Sequence, residues 1–320
     1  MSSSVRGIAL LGAVLLLGLP ACGDDSTGPA AAAELIVANY SANSITVYAA
    51  TAEGDAAPLR TIIGAATTLS NPQGLALDRA RGELYVANRG AGTVLVFNVS
   101  DDGNVAPKRT IAGASTGLGT PYDIAFDAGN NEVVVSAGAA IRVFAQTANG
   151  DVAPIRSITG AATDIEGPQG LSLNPTHGEL IIADVTDDAV HAYARTAQGD
   201  QAPLRTLQGA ATMLDDPAEV VTDVVNNEMF VASFGGSIDV FSRTATGNVA
   251  PIRSIVGAAT TLVSPYGVAV DAARNEIVVV DFATSAIRFY GRTANGDVAP
   301  LRSITGAATG LTGPSRIILR

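Results

Sequence analysis

The chain has no tryptophan, a single cysteine, two histidines and only three methionines. Aromatic residues make up 5% of it, and charged residues 15%. One cysteine, Cys22, excludes an intramolecular disulfide, so the fold has to stand on burial alone. The two histidines, His177 in a turn and His191 on a strand, fall on different parts of one repeat and leave no His-rich metal motif; no HExxH, CxxC or phosphate-cradling loop is present either. The segment Gly113-Ala114-Ser115-Thr116-Gly117 matches GxSxG, but it repeats a loop seen elsewhere in the chain and no helix follows it to form a nucleophile elbow. Basic residues are scarce as well: 19 Lys and Arg face 30 Asp and Glu, a net charge of −11. Such a surface repels phosphate backbones and excludes nucleic acid as a partner.

Long apolar runs are missing except at the start. Residues 7–19 form an apolar stretch too short to span a bilayer, preceded by Arg6, and read as the core of a secretory signal. It ends in Leu19-Pro20-Ala21-Cys22, which resembles the bacterial lipoprotein signal. The resemblance implies cleavage after residue 21 and lipidation of Cys22, and so a membrane partnership through that residue alone. Residues 22–33 are small and polar, a flexible tether. Gly23 stands where an Asp marks inner-membrane retention, so the expected address is the outside of the cytoplasm, lipid-anchored in the cell envelope, at the outer membrane.

What is abundant is repetition. The segment Gly296-Asp297-Val298-Ala299-Pro300-Leu301-Arg302 is one of six near-copies, whose Arg recurs at Arg60, Arg109, Arg156, Arg205, Arg253 and Arg302, every 47 to 49 residues. A period near fifty is one supersecondary unit repeated, a solenoid or a propeller. Each repeat reads as four strands; in the second they are residues 72–78, 83–88, 93–97 and 107–113. The first two are joined by tight turns ending in Gly or Asn (Gly82, Asn131, Gly178, Asn227, Asn275), where a left-handed backbone is cheap only for those residues. The first repeat begins at its second strand, and the chain ends with an unpartnered first strand at residues 314–320. Six complete units exist only if that last strand joins the first blade. The expectation is an all-β, six-bladed propeller over residues 34–320, with four antiparallel strands per blade, closed by the C-terminal strand.

The words Tyr85-Val86-Ala87-Asn88 before Thr93-Val94-Leu95-Val96-Phe97, and Pro265-Tyr266-Gly267-Val268-Ala269-Val270-Asp271 before Ile277-Val278-Val279-Val280-Asp281, resemble the NHL and YVTN groups of propeller repeats. The resemblance covers nearly all of residues 34–320 and implies a fold more than a function. WD40 repeats are disfavoured by the absence of Trp. Residues that recur in all six repeats have structural readings. The aromatics closing the third strand (Tyr48, Phe97, Phe144, Tyr193, Phe241, Tyr290) should pack blade on blade. The Glu opening each second strand and the Arg of each fourth strand fall toward the same rim and should make structural ion pairs or backbone hydrogen bonds, with the partner of each left open.

Departures from the repeat are the functional candidates. Tyr40, Arg89, Phe234 and Phe282 follow second strands, whereas Tyr122, Asp123, Glu219, Tyr266 and Arg316 open first strands. Asp184 and Asp281 close second strands where the first two repeats have Asn39 and Asn88. All are expected at one mouth of the central channel, where aromatics and a few charges would recognise a protein, peptide or glycan without a cofactor. The alternative is a metal-dependent enzyme like the propeller lactonases or lyases, with Asp184, Glu219, Asp281 and Asn88 holding a divalent cation.

Overall fold

The computed structural model describes residues 33–320; the leader-like stretch, Cys22 and all of the tether but its last residue lie outside them. Six four-stranded antiparallel sheets account for the strands. The blades are read from the inside outward. Blade 2 runs Pro72–Asp78, Glu83–Asn88, Thr93–Asn98 and Arg109–Ile111, and blades 3 to 6 repeat this order. The innermost strands touch one another in sequence around the ring, and Pro314–Leu319 touches Pro72–Asp78 to complete it. Blade 1 is assembled from both ends of the described chain. Its inner strand Pro314–Leu319 pairs antiparallel with Glu34–Asn39, in register from Leu35 opposite Leu319 to Ala38 opposite Arg316. Among the described residues there is no α-helix.

The second strand of each blade reads as an unbroken apolar run because both of its faces are buried. In blade 1, Leu35 and Val37 pack against blade 6, while Ile36 and Ala38 pack against blade 2. Every junction between neighbouring blades holds one such cluster, six in all, so the core is a ring of interfaces. The six aromatics closing the third strands are at most 1% exposed and sit in these clusters. Tyr48, Tyr193 and Tyr290 also donate their hydroxyls to the carbonyls of Thr309, Thr163 and Thr260 in the loops that enter their own blades.

The fourth strand is shorter than its sequence suggests: Arg109–Ile111 in blade 2, three residues where residues 107–113 read as β-rich. Pro107 has no N–H to give the ladder; the Lys108 N–H already reaches the Val96 carbonyl at 2.7 Å, and the regular pairing runs from the Arg. That Arg then fixes two blades. Arg60, Arg109, Arg156, Arg205, Arg253 and Arg302 each pair with the Glu that opens the second strand of their own blade. Each also donates to a carbonyl just past the third strand of the next blade: Val99, Gln146, Arg195, Arg243, Arg292 and, across the closure, Ala50.

The rest of the repeated motif is a second lock. The Gly of the Gly-Asp or Gly-Asn pair bridges to the fourth strand of the preceding blade, as Gly54 does to Ile304. The neighbouring Asp or Asn accepts a backbone N–H from the 3-10 turn of that blade's Gly-Ala-Ala-Thr loop, as Asp55 accepts from Ala308. That loop's glycine is required: Gly306 has φ 137°, and a Cβ there would lie 2.3 Å from Asp55 Oδ1. Five more copies of the same contact explain why the motif recurs six times.

Candidate functional site

Each innermost strand begins Pro-X-Y, and a β-bulge at X breaks the register with the second strand, as between Pro72 and Gly74. Bulges re-aim side chains. Here X and Y both become available to the channel, and the two positions alternate around the ring. At Y, blades 2, 4 and 6 have Gly74, Gly170 and Gly267, while blades 1, 3 and 5 have Arg316, Asp123 and Glu219. The glycines make room: a Cβ on Gly74 would lie 2.6 Å from Asp123 Cα, and one on Gly170 would lie 2.7 Å from Glu219 Cα.

The three charged side chains meet inside the channel and are buried. Arg316 Nε lies 3.1 Å from Asp123 Oδ1 and 2.5 Å from Glu219 Oε2. Its terminal nitrogens donate to the carbonyls of Tyr266, Gln169 and Ala218, so one guanidinium ties together blades 4, 5 and 6. Asp123 Oδ2 accepts the N–H of Leu171 at 2.8 Å. In blade 3 the bulge widens to two residues because Asp123 N–H donates to Ser136 Oγ instead of the ladder. Burial works against the Arg316 charge, but the Asp123 and Glu219 carboxylates outweigh it and hold the guanidinium above its ordinary pKa. Glu219 moves well above the carboxylate range, first because burial penalises its charge and then because Asp123 repels it, with Arg316 opposing. One buried cation between two carboxylates leaves a surplus negative charge, and a proton on Glu219 removes it.

At X, the alternation is reversed. Gln73, Gln169 and Tyr266, from blades 2, 4 and 6, form a second layer over the charges. Gln73 Nε2 donates to Tyr266 Oη and, at 3.0 Å, to Gln169 Oε1. Tyr266 Oη donates to Gln169 Oε1 at 3.1 Å, and its ring lies over the Arg316 guanidinium. Burial pushes the Tyr266 hydroxyl up to about 12.

Above this layer opens a cavity of about 310 Å³ lined by Tyr40, Arg89, Gln169, Phe234, Tyr266 and Phe282. Phe234 meets Tyr266 edge-on at 4.6 Å, and Phe282 lies within 6.0 Å of both Tyr40 and Tyr266. The Arg89 guanidinium stands over the rings of Tyr122 at 4.9 Å and Tyr40 at 5.7 Å. The arrangement offers aromatic walls, one cation and an amide, the ingredients of a recognition pocket. Below the charged layer, the inner strands of blades 1 to 4 line a separate cavity of about 440 Å³, with Leu75, Phe126, Leu171 and Ile318 among its walls.

The sequence candidates therefore divide into three groups. Tyr40, Arg89, Phe234, Tyr266 and Phe282 line the mouth, and Tyr122 stacks beside it. Asp123, Glu219 and Arg316 lie beneath it and face one another. Asp184 and Asp281 are not at the mouth. Asp184 accepts the backbone N–H groups of Glu166, Gly167 and Thr186, and Asp281 accepts those of Val263, Ser264 and Thr284. Asn88 does the same for Ser70. An oxygen cage of Asp184, Glu219, Asp281 and Asn88 does not form, because three of the four hold loops in separate blades and the fourth faces Arg316. Gln73 and Gln169 escaped the sequence reading, although their recurrence at X in repeats two and four was visible.

Residues 69–97, the approach to blade 2 and most of its first three strands, match the NHL repeat model. No curated protein matches the chain. Among solved structures, a chain from the crystal structure of a nidogen/laminin complex superimposes with a TM-score of 0.66 at 14% identity, covering 90% of this chain and 98% of its own. At that identity the likeness shows the fold alone. The protein is a six-bladed β-propeller of four-stranded blades, with a segment in its second blade that matches the NHL repeat model.

Proposed function

We infer that this propeller is a non-enzymatic binding module, displayed on the cell envelope by a lipid on Cys22, and that it takes a protein or peptide partner at the channel mouth. The observation that carries this reading is the cavity walled by Tyr40, Phe234, Tyr266 and Phe282 with Arg89 at its side. At about 310 Å³ it stands at the lower bound for small-molecule pockets and suits one anchoring side chain of a larger partner. The propeller that superimposes on this one was crystallised in a complex of two proteins, which agrees with that mode of use. No polar group at the mouth is arranged as nucleophile and base: the titratable side chains beneath it are consumed by one another. Among the described residues no helix is long and apolar enough to cross a membrane, so the anchoring half of the reading rests on the Leu-Pro-Ala-Cys resemblance.

The test is capture of envelope proteins on immobilised wild-type propeller and on Arg89→Ala/Phe282→Ala. A partner held by the first and lost by the second is expected. Binding to glycans instead of protein, or a partner indifferent to both substitutions, would overturn the reading. Cys22→Ser should shift the protein from the detergent phase to the aqueous phase.

A further inference from the structure

Among the described residues, a group of metal-ligating side chains gathers in blade 4, outside the mouth cavity. The turn between Glu179–Asp184 and Ala189–Ala194 brings Asp184, Asp187 and His191 together, with one ligand atom of each within 4.8 Å of the others. His191 is 1% exposed. Its Nδ1 lies 3.1 Å from Oγ1 of Thr206, its ladder partner. Its Nε2 is buried without a hydrogen-bond partner and points at Asp187 Oδ2 from 3.6 Å, too far for a hydrogen bond. Asp187 Oδ1 is also buried and unpartnered, while Oδ2 has only the Gln208 amide at 3.3 Å. An unsatisfied imidazole nitrogen and an unsatisfied carboxylate oxygen, side by side, need an explanation.

Blade 6 supplies the comparison. Asp281, Thr284 and Arg288 occupy the same places in the hairpin there, since Asp281 and Asp184 both close their second strands and Arg288 pairs opposite Val279 as His191 does opposite Ile182. Arg288 donates to Thr284 Oγ1 at 2.8 Å and reaches Asp281 Oδ2 at 3.6 Å. That hairpin carries its own cation. Blade 4 has His for the Arg and Asp for the Thr, so it has lost the cation and gained a carboxylate.

We propose that Asp184, Asp187 and His191 form a binding site for a divalent transition-metal cation, which supplies to blade 4 the positive charge that Arg288 supplies to blade 6. One imidazole nitrogen with two carboxylates suits zinc and its neighbours better than magnesium or calcium, which prefer oxygen alone. Each donor has capacity left. Asp184 Oδ2 accepts a single N–H, from Glu166, and keeps a lone pair; His191 Nε2 is free. Metal–ligand distances of about 2.0–2.2 Å require the three groups to draw together. The half-buried turn carrying Asp187 is the part able to move, and it borders a cavity of about 400 Å³ from which water can complete the coordination.

Equilibrium dialysis of the tag-free full chain, stripped with chelator and titrated with zinc chloride, tests the proposal. One zinc per chain at micromolar or tighter affinity is expected, undisturbed by millimolar magnesium or calcium. Asp187→Asn and His191→Gln should each weaken binding at least about tenfold, whereas His177→Gln should leave it unchanged. His191 is buried, so loss of binding in its variant is read beside its fold; Asp187 lies in a turn, so Asp187→Asn decides the matter once circular dichroism shows it folded. At a hundredfold excess over Kd, zinc should raise the melting temperature by roughly 5 °C in the wild type and not in Asp187→Asn. No stoichiometric zinc on the wild type, binding that survives both substitutions, or binding lost with His177 would each overturn the site.

Discussion

Arg316 Nε and Glu219 Oε2 lie 2.5 Å apart inside the channel, although the two residues belong to blades 1 and 5 and are separated by nearly a hundred positions in the chain. The contact exists only because the C-terminal strand has entered blade 1, so it reports ring closure as directly as any backbone pairing. Removing the cation leaves the buried Asp123 carboxylate without its partner, beside the protonated Glu219. Arg316→Met should therefore cost about 3–5 kcal/mol in chemical denaturation, the range for breaking a buried ion pair from one side. Adding Asp123→Asn and Glu219→Gln to the same chain should recover much of that loss. If Arg316→Met melts like the wild type, the charges do not meet.

The acids should divide by their response to pH. Glu219 has its folded pKa raised above the unfolded value. Its contribution is fully present below the unfolded pKa near 4.5 and is lost as pH rises toward the folded one. Glu83 is the opposite case: the hydrogen bond from Arg109, against the cost of burial, holds it at about 2. Its contribution is present above 4.5 and is lost as pH falls through 2; Glu34 is lowered in the same direction by Arg60, and at Glu179 the cost of burial is outweighed by Arg205 and Arg243 together. Melting temperature against pH should show Glu219→Gln gaining on the wild type from pH 5 upward, and Glu83→Gln losing most at neutral pH and little at pH 2. A constant difference across the range for either variant would contradict the assignment.

Deleting residues 314–320 removes the inner strand of blade 1 together with Arg316. Leu35, Ile36, Val37 and Ala38 then lose their ladder partners, and the cores on both sides of blade 1 lose Ile317 and Ile318. The expected outcome is a cooperative drop in thermal stability of the whole ring. Calorimetry showing an unchanged main transition would mean that the blades stand independently.

Much of this architecture was legible because repetition tests itself: six copies of Arg, Pro, Gly and a closing aromatic locate six blades, and the incomplete first repeat asks for the last strand. The two interblade locks were half legible. That Glu and Arg lie toward one rim could be read, whereas their partners could not: the Arg's second bond reaches the next blade, and no single repeat contains it. The exceptions were visible as exceptions, yet their direction was not. Asp123, Glu219 and Arg316 read as a charged mouth because spacing shows that they open inner strands; that they turn toward one another depends on the bulge and on the glycines between them. Asp184 and Asp281 differ from Asn39 and Asn88 without consequence for the loop, since each offers an oxygen to the same backbone N–H groups. His191 read as part of no metal motif, and Asp187 was not singled out, because their proximity depends on how the hairpin is registered.

The mouth yields the sharpest contrast between recognition and packing, because two tyrosines that look alike in sequence have different surroundings. Tyr40 is half-buried at the rim, with its ring between Phe282 and Arg89. Tyr266 is 6% exposed, bonded through its hydroxyl to Gln73 and Gln169, and laid over Arg316. Tyr266→Ala should open a hole in that layer and cost about 3–5 kcal/mol, as large-to-small changes of buried aromatics do. Phe97→Ala, in the interface of blades 1 and 2, should cost a similar amount. Tyr40→Ala should change stability by less than about 1 kcal/mol and yet weaken the captured partner at least tenfold, since a rim aromatic spends its area on the ligand. Denaturant unfolding and affinity measured on the same preparations separate the two effects. A Tyr40→Ala that unfolds as readily as Tyr266→Ala would make the rim part of the core and remove the mouth as a recognition surface.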